Sequence, residues 1–134
     1  MISYKEITIK STARCHWIDI TGFVNDILRD TKISKGICCV SSMHTTAGIT
    51  INENADPDVE HDFFRKLALM VPPENGYRHT EGNSDSHIKA SLVGLSVQVP
   101  IHNDQCVLGT WQAIYFCEFD GPRSRKVSVS IIGE

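Results

Sequence analysis

Apolar and polar positions alternate along much of this chain, and a helical spacing replaces the alternation in three places. Residues 2–10, ISYKEITIK, alternate imperfectly and read as an edge-type strand. Residues 17–20, WIDI, form a short β-type piece. In TGFVNDILRDTKI the residues Phe23, Val24, Ile27 and Leu28 repeat at helical spacing, with Thr21 as the expected N-cap. Residues 36–42, GICCVSS, are a continuous apolar run and read as a buried strand. In residues 47–53, AGITINE, Ile49 and Ile51 alternate with Thr50 and Asn52, which predicts a strand with one buried face.

Asp56-Pro57 is a strong helix start. Aspartate can cap, and proline fits the first helical position because its missing N–H would be orphaned there anyway. Val59, Phe63, Leu67 and Met70 follow as one stripe, stopped by Pro72-Pro73. The polar segment 74–85, ENGYRHTEGNSD, is a loop long enough to carry function. SDSHIKASLVG predicts a short helix, with Ser84 or Asp85 as cap, Ile88 and Leu92 as its apolar side and Gly94 as its stop. LSVQVPI, QCVLGTW, QAIYFCEFD and KVSVSII complete the chain as strands, with a hairpin turn at residues 102–104. The late strands lack intervening helices and are expected to pair antiparallel. The expectation is a single α+β domain over residues 1–134. Its large, mostly antiparallel sheet would be a sandwich or open barrel, with two or three helices packed on one side.

Composition narrows the function. The chain has 134 residues, 41% hydrophobic and 22% charged, enough for one real core. A formal net charge of -3 disfavours nucleic acid, which calls for a basic face. No stretch approaches the roughly 18 apolar residues of a membrane span, and the charged, alternating first ten residues are unlike a signal peptide. Five cysteines without a CxxC pair read as small buried hydrophobes in a reducing cytoplasm, with a cysteine nucleophile as the alternative. The expected location is cytoplasmic.

Six histidines carry the candidate chemistry, although no pair has a named metal spacing. His44, His79 and His87 come from three elements and could hold a divalent metal, Zn or Mg, leaving a position open for water or substrate. Thr45 and Thr46 follow His44 and could donate hydroxyls to a phosphate, or simply form a polar strand end. Glu53, flanked by Asn52 and Asn54, could be a general base or a solvated strand end, and Asp62 could orient a histidine. The predicted helix start near His87 and Lys89 favours an anion, because free N–H groups and the helix dipole point there. Thr110, Gln112, Phe116, Glu118 and Asp120 fall on one face of a strand, which fits a lined pocket or a subunit interface. Arg123 lies in a DGPR turn and could clamp a carboxylate or phosphate.

Three segments, HTTAGITINENADPDVEHDF, RHTEGNSDSHIKASLVG and LGTWQAIYFCEFDGPRSRKVSVSIIGE, together resemble the YjbQ family, often labelled secondary thiamine-phosphate synthase. The resemblance runs over nearly the whole chain, loosely in the first 35 residues. It implies a homotrimeric α+β protein with a histidine-lined pocket at or near a subunit interface, binding metal ions or anions in some members. The family's characteristic positions fall here on His44, Thr45, Asn52, Glu53, Asp62, His79, His87, Lys89, Thr110, Gln112, Glu118 and Arg123, among others. Many members have serine where this chain has Thr46, which keeps the hydroxyl.

The implied activity couples an aminopyrimidine methyl diphosphate to a thiazole phosphate with loss of diphosphate. His44, Glu53, Asp62 and Lys89 are the expected catalytic groups. Thr45, Thr46, Asn52, Lys89, Thr110, Gln112 and Arg123 are the expected substrate and phosphate contacts. Two other readings stand beside this one: metal-assisted phosphoester hydrolysis, and a non-catalytic trimer that binds a metabolite or metal.

Overall fold

The computed structural model describes every residue, Met1–Glu134. The elements are β1 (Ile2–Lys10), β2 (His16–Asp19), α1 (Thr21–Thr31), β3 (Gly36–Ser42), β4 (Ala47–Glu53), α2 (Pro57–Met70), α3 (Ser84–Val93), β5 (Ser96–His102), β6 (Gln105–Cys106), β7 (Gln112–Glu118) and β8 (Ser124–Gly133). They build two sheets, ordered β1-β8-β3-β5-β6 and β2-β7-β4, in which every pairing is antiparallel. The fold is therefore α+β, an open sandwich with three helices.

Alternation explains the layers. Ile7, Ile9, Cys38, Val40, Val99, Ile101, Val127, Val129 and Ile131 point from the larger sheet toward Ala47, Ile49, Ile114 and Phe116 of the smaller. Val24 and Leu28 of α1 join this core. The opposite face of the smaller sheet presents Trp17, Ala113, Tyr115, Cys117 and Phe119, which α2 and α3 cover with Val59, Phe63, Phe64, Leu67, Ala90 and Val93. The outer face of the larger sheet has no layer over it. There Ile2, Ile132 and Ile37 are paired in one row and are 79%, 57% and 50% exposed.

The missing layer corrects the expectation for β3. Only Cys38, Val40 and Ser42 are buried, because Ile37, Cys39 and Ser41 face outward. QCVLGTW is not a full strand either. β6 ends at Cys106, because the chain must cross from the larger sheet to the smaller before β7 begins. Thr21 is the first residue of α1 rather than its cap: its hydroxyl accepts from the Ile114 amide at 2.9 Å, and Asp19 Oδ1 takes the Thr21 amide at 2.9 Å. Asp56 does cap α2, accepting from the Asp58 amide at 2.9 Å.

The third helix departs furthest from its sequence pattern. Its buried residues are Ser84, Asp85, Ser86, Lys89 and Ala90, while Ile88 and Leu92 are exposed. Neither Ser84 nor Asp85 caps it; the cap position is Asn83, with no side-chain capping bond. The side chain of Ser84 turns to His79 of the preceding loop, and that of Asp85 to Arg14 and Lys89. Close backbone approach seats the helix end on β4. Gly94 accepts from the Ile49 amide at 3.0 Å, and a Cβ on Gly48 would lie 2.6 Å from the Gly94 oxygen.

Candidate functional site

Strands β4 and β7 pair from Ala47–Glu118 to Glu53–Gln112, so the sequence motifs divide between the two ends of one sheet. His44, Thr45 and Thr46 lie at one end with Glu118, Asp120, Arg123 and Arg125. Asn52, Glu53, Thr110 and Gln112 lie at the other, about 20 Å away for a seven-residue strand. The chain therefore does not bring its own His44 and Glu53 together.

The His44 end is built on a buried ion pair. Glu118 continues the inward face of β7 after Phe116, and Arg125 continues that of β8 before Val127; both are buried. Arg125 Nε donates to Glu118 Oε1 at 2.9 Å, and its NH2 group bonds to Glu118 Oε2 and, at 2.9 Å, to Thr46 Oγ1. Ser11 Oγ donates to the same carboxylate at 2.5 Å, and the Phe119 and Asp120 amides donate at 3.1 Å each. Burial alone would raise the Glu118 pKa, but the bonds from Arg125, Ser11 and the Asp120 amide outweigh it and hold the carboxyl below its usual range. Thr46 is thus buried in this pair rather than open to substrate, while Thr45 is exposed.

His44 sits above that pair. Its Nε2 accepts from the Lys126 amide at 2.8 Å, and its own amide donates to Ser42 Oγ at 3.2 Å. Burial, and then the charge of Arg125, hold its pKa below that of a free imidazole. Arg123 reaches back to Asp120, with Nε donating to the backbone oxygen at 2.7 Å and NH2 to Oδ2 at 3.0 Å. Asn83 donates to that same Oδ2 at 2.7 Å, which ties the β7–β8 turn to the start of α3.

The long loop and α3 bring two histidines together. The rings of His79 and His87 meet edge to face with centroids 5.3 Å apart. Ser84 Oγ lies 2.7 Å from His79 Nδ1 and also donates to the His79 carbonyl at 3.3 Å. Ser84 thus engages Nδ1, and the Nε2 edge of the His79 ring lies 3.8 Å from Glu81 Oε1. A groove of about 390 Å³ runs along this pair, lined by Tyr77, Arg78, His79, Ser84, His87 and Ile88.

Lys89 does not face that groove. Its side chain is 4% exposed, and Nζ donates to Asp85 Oδ2 at 2.9 Å, while Arg14 takes Asp85 Oδ1 at 3.1 Å. Burial would raise the Asp85 pKa; the bond and charge of Lys89, joined by Arg14, lower it overall. Asp62 is exposed on α2, bonded at 3.2 Å only to its neighbour His61. It orients none of the three histidines singled out in the sequence.

The far end of the sheet is acidic. Asp19, Glu53, Asp56 and Glu60 surround a pocket of about 360 Å³ over Trp17 and Tyr115, and none of the four is paired with a lysine or arginine. Asn52 is turned onto the Glu53 amide at 2.8 Å. Gln112 accepts from the Gly109 amide at 2.8 Å, and Thr110 is exposed beside them.

A divalent metal fits this donor set in part. A zinc site takes three or four protein ligands, and His79 and His87 offer two neighbouring imidazoles. No three His, Cys, Asp or Glu side chains of the chain surround a common point. Oxygen-seeking Mg²⁺ suits the histidine pair less well than zinc does.

Comparison with known proteins gives the lineage. A family model described as "UPF0047 protein YjbQ-like" matches residues 5–134. The UPF0047 protein YugU of Bacillus subtilis is 49% identical over 130 residues, 96% of this chain and 98% of that protein. The UPF0047 protein MJ1081 of Methanocaldococcus jannaschii is 48% identical over 126 residues, 94% of this chain and 91% of that one. A crystal structure of an uncharacterised YjbQ/UPF0047 protein from Clostridium acetobutylicum matches with a TM-score of 0.94 at 52% identity, covering 96% of this chain and 99% of that chain.

The chain belongs to the YjbQ family.

Several residues of this YjbQ site escaped sequence reasoning. Arg125, Ser11, Asn83 and the Lys126 amide hold the His44 end, and Ser84 fixes His79. One signal was available. Glu118 and Arg125 each occupy an inward position of a strand whose other inward residues are apolar, and a lone charge there needs an opposite charge beside it.

Proposed function

We propose that this YjbQ-family protein is an enzyme acting on a phosphorylated small molecule, held where Arg78, His79 and His87 line the groove beside the start of α3. The observation that supports it is the imidazole pair, 5.3 Å between centroids, at the N-terminal end of a ten-residue helix with no side-chain cap. The N-terminal end of the helix dipole and the Arg78 guanidinium together attract a phosphate. A zinc ion held by His79, His87 and a donor outside the subunit would polarise a phosphoryl oxygen. In the thiamine-phosphate reading that the family resemblance implies, the groove takes a phosphate or diphosphate end and stabilises the charge of the departing diphosphate. The uncovered row of Ile2, Ile37 and Ile132 supports assembly into the trimer that the resemblance also implies, which light scattering measures.

The test is calorimetric titration with thiamine phosphate and inorganic phosphate, run beside a coupling assay with the pyrimidine diphosphate and thiazole phosphate. His87→Ala is expected to weaken phosphate binding about tenfold, the scale of one charge-assisted hydrogen bond. Unchanged binding in His87→Ala sinks the reading. Turnover of simple phosphoesters without a second substrate favours the hydrolase, and tight binding without turnover favours a metabolite-binding trimer.

A further inference from the structure

The Lys126 amide fixes a hydrogen position on His44. A backbone N–H can only donate, so Nε2 of His44, 2.8 Å away, must present its lone pair. A neutral imidazole has one protonated nitrogen, and here that is Nδ1. Asn83 Oδ1 is the one buried side-chain polar atom without a partner. His44 Nδ1, which no protein group engages, therefore opens to solvent. The charges that act on this ring are those of Arg125, Glu118 and Arg123. Arg125 is spent on the buried Glu118, and Arg123, paired with Asp120 but half-exposed, is the cation that solvent and an incoming oxygen anion reach.

A metal has no comparable place on this ring. Ligation at Nδ1 moves the ring proton to Nε2, where it collides with the Lys126 N–H across 2.8 Å. Ligation at Nε2 displaces that amide and leaves it without an acceptor. A flip of the ring places a carbon against the amide instead.

We propose that His44 is a neutral Nδ1–H donor to a phosphate oxygen of the substrate and not a metal ligand, with the Lys126 amide as the group that sets its tautomer. The donor role rests on the phosphate reading above; the tautomer and the exclusion of metal do not. His44 thereby separates from His79 and His87. Those two keep the capacity to take a metal, while His44 contributes a directional hydrogen bond.

The experiment is nitrogen-detected NMR of the histidine rings in the full-length protein, first alone, then titrated with Zn²⁺ and separately with inorganic phosphate. The expected spectrum has a pyrrole-type Nδ1 and a pyridine-type Nε2 for His44. Zinc should move the His79 and His87 signals and leave His44 in place, and His44→Asn should keep zinc affinity within about twofold, since no ligand is lost. Phosphate should move the His44 Nδ1–H signal. His44→Ala should bind phosphate about tenfold more weakly, and His44→Asn, whose amide nitrogen stands near the lost Nδ1, should recover most of that loss. A pyridine-type Nδ1, or zinc shifting His44, overturns the tautomer assignment. Phosphate affinity unchanged in His44→Ala overturns the donor role. If phosphate moves no histidine at all, the phosphate reading falls and the donor role with it, while a pyrrole-type Nδ1 still upholds the exclusion of metal.

Discussion

Helices α2 and α3 cover the same face of the same small sheet, yet they are held there by opposite means. The first turns an apolar stripe inward: Phe63 and Phe64 pack around Trp17, which stacks on Tyr115 with 4.3 Å between centroids. The second turns Asp85, Ser86 and Lys89 inward and leaves Ile88 and Leu92 outside. Apolar packing tolerates small shifts, whereas the bonds that tie α3 to the rest of the fold, Arg14 to Asp85 at 3.1 Å and the Ser86 hydroxyl to the Phe119 carbonyl at 2.6 Å, require their geometry. The helix that carries His87 is the one whose position is fixed by ionic and hydrogen bonds, which suits an element that must aim a ring.

The comparison breaks most severely at Asp85. In Asp85→Ala the Lys89 ammonium stays buried without its partner, so unfolding in denaturant should show a loss of about 3–5 kcal/mol. On α2, Phe63→Ala removes a half-buried ring. Its cost should be about 2 kcal/mol, below the full-core range, and the His79–His87 contact should survive it in NMR. Removing the α2 cap is milder still. Asp56→Ala should lower stability by about 1 kcal/mol and fray only the first turn in hydrogen exchange.

Acid is the gentlest probe. Asp85 and Glu118 have folded-state pKa values below their unfolded ones, so their contribution is present above about pH 4 and fades as pH falls through the folded values. His44 is also lowered, and as a base it favours the unfolded chain once pH drops below about 6.5 toward its folded value. Stability should therefore step down first near the histidine range and again below the carboxylate range. The second step should be smaller in Asp85→Asn than in the parent protein. A stability profile flat from neutral to acid pH contradicts both assignments.

The same contrast marks what could be read from the sequence. The start of α2 was legible because Asp56 and Pro57 act within one turn, and the turn at residues 102–104 because Asn103 and Asp104 accept positive φ. The antiparallel pairing of the late strands followed from their short connections. In α3 the apolar positions misled, because its burial is decided by Arg14 and Asp85, distant in sequence and joined only by the fold. His79 and His87 were named, but the contact between them depends on Ser84 reaching back to the loop. His44 was singled out in the sequence, yet the Lys126 amide that engages its ring lies 82 positions away. The division of the motifs between two sheet ends needed the β4–β7 register, which no local pattern encodes.

The two tryptophans offer a practical consequence of this layout. Trp17 is enclosed between Tyr115 and the α2 phenylalanines, whereas Trp111 is 63% exposed beside the acidic end of the sheet. Their fluorescence should separate by wavelength, blue for the enclosed indole and red for the open one. Trp111→Phe then leaves the indole enclosed under α2 as the optical reporter, and Trp17→Phe leaves the exposed one. Binding and unfolding could thus be followed separately in the same molecule with no added label.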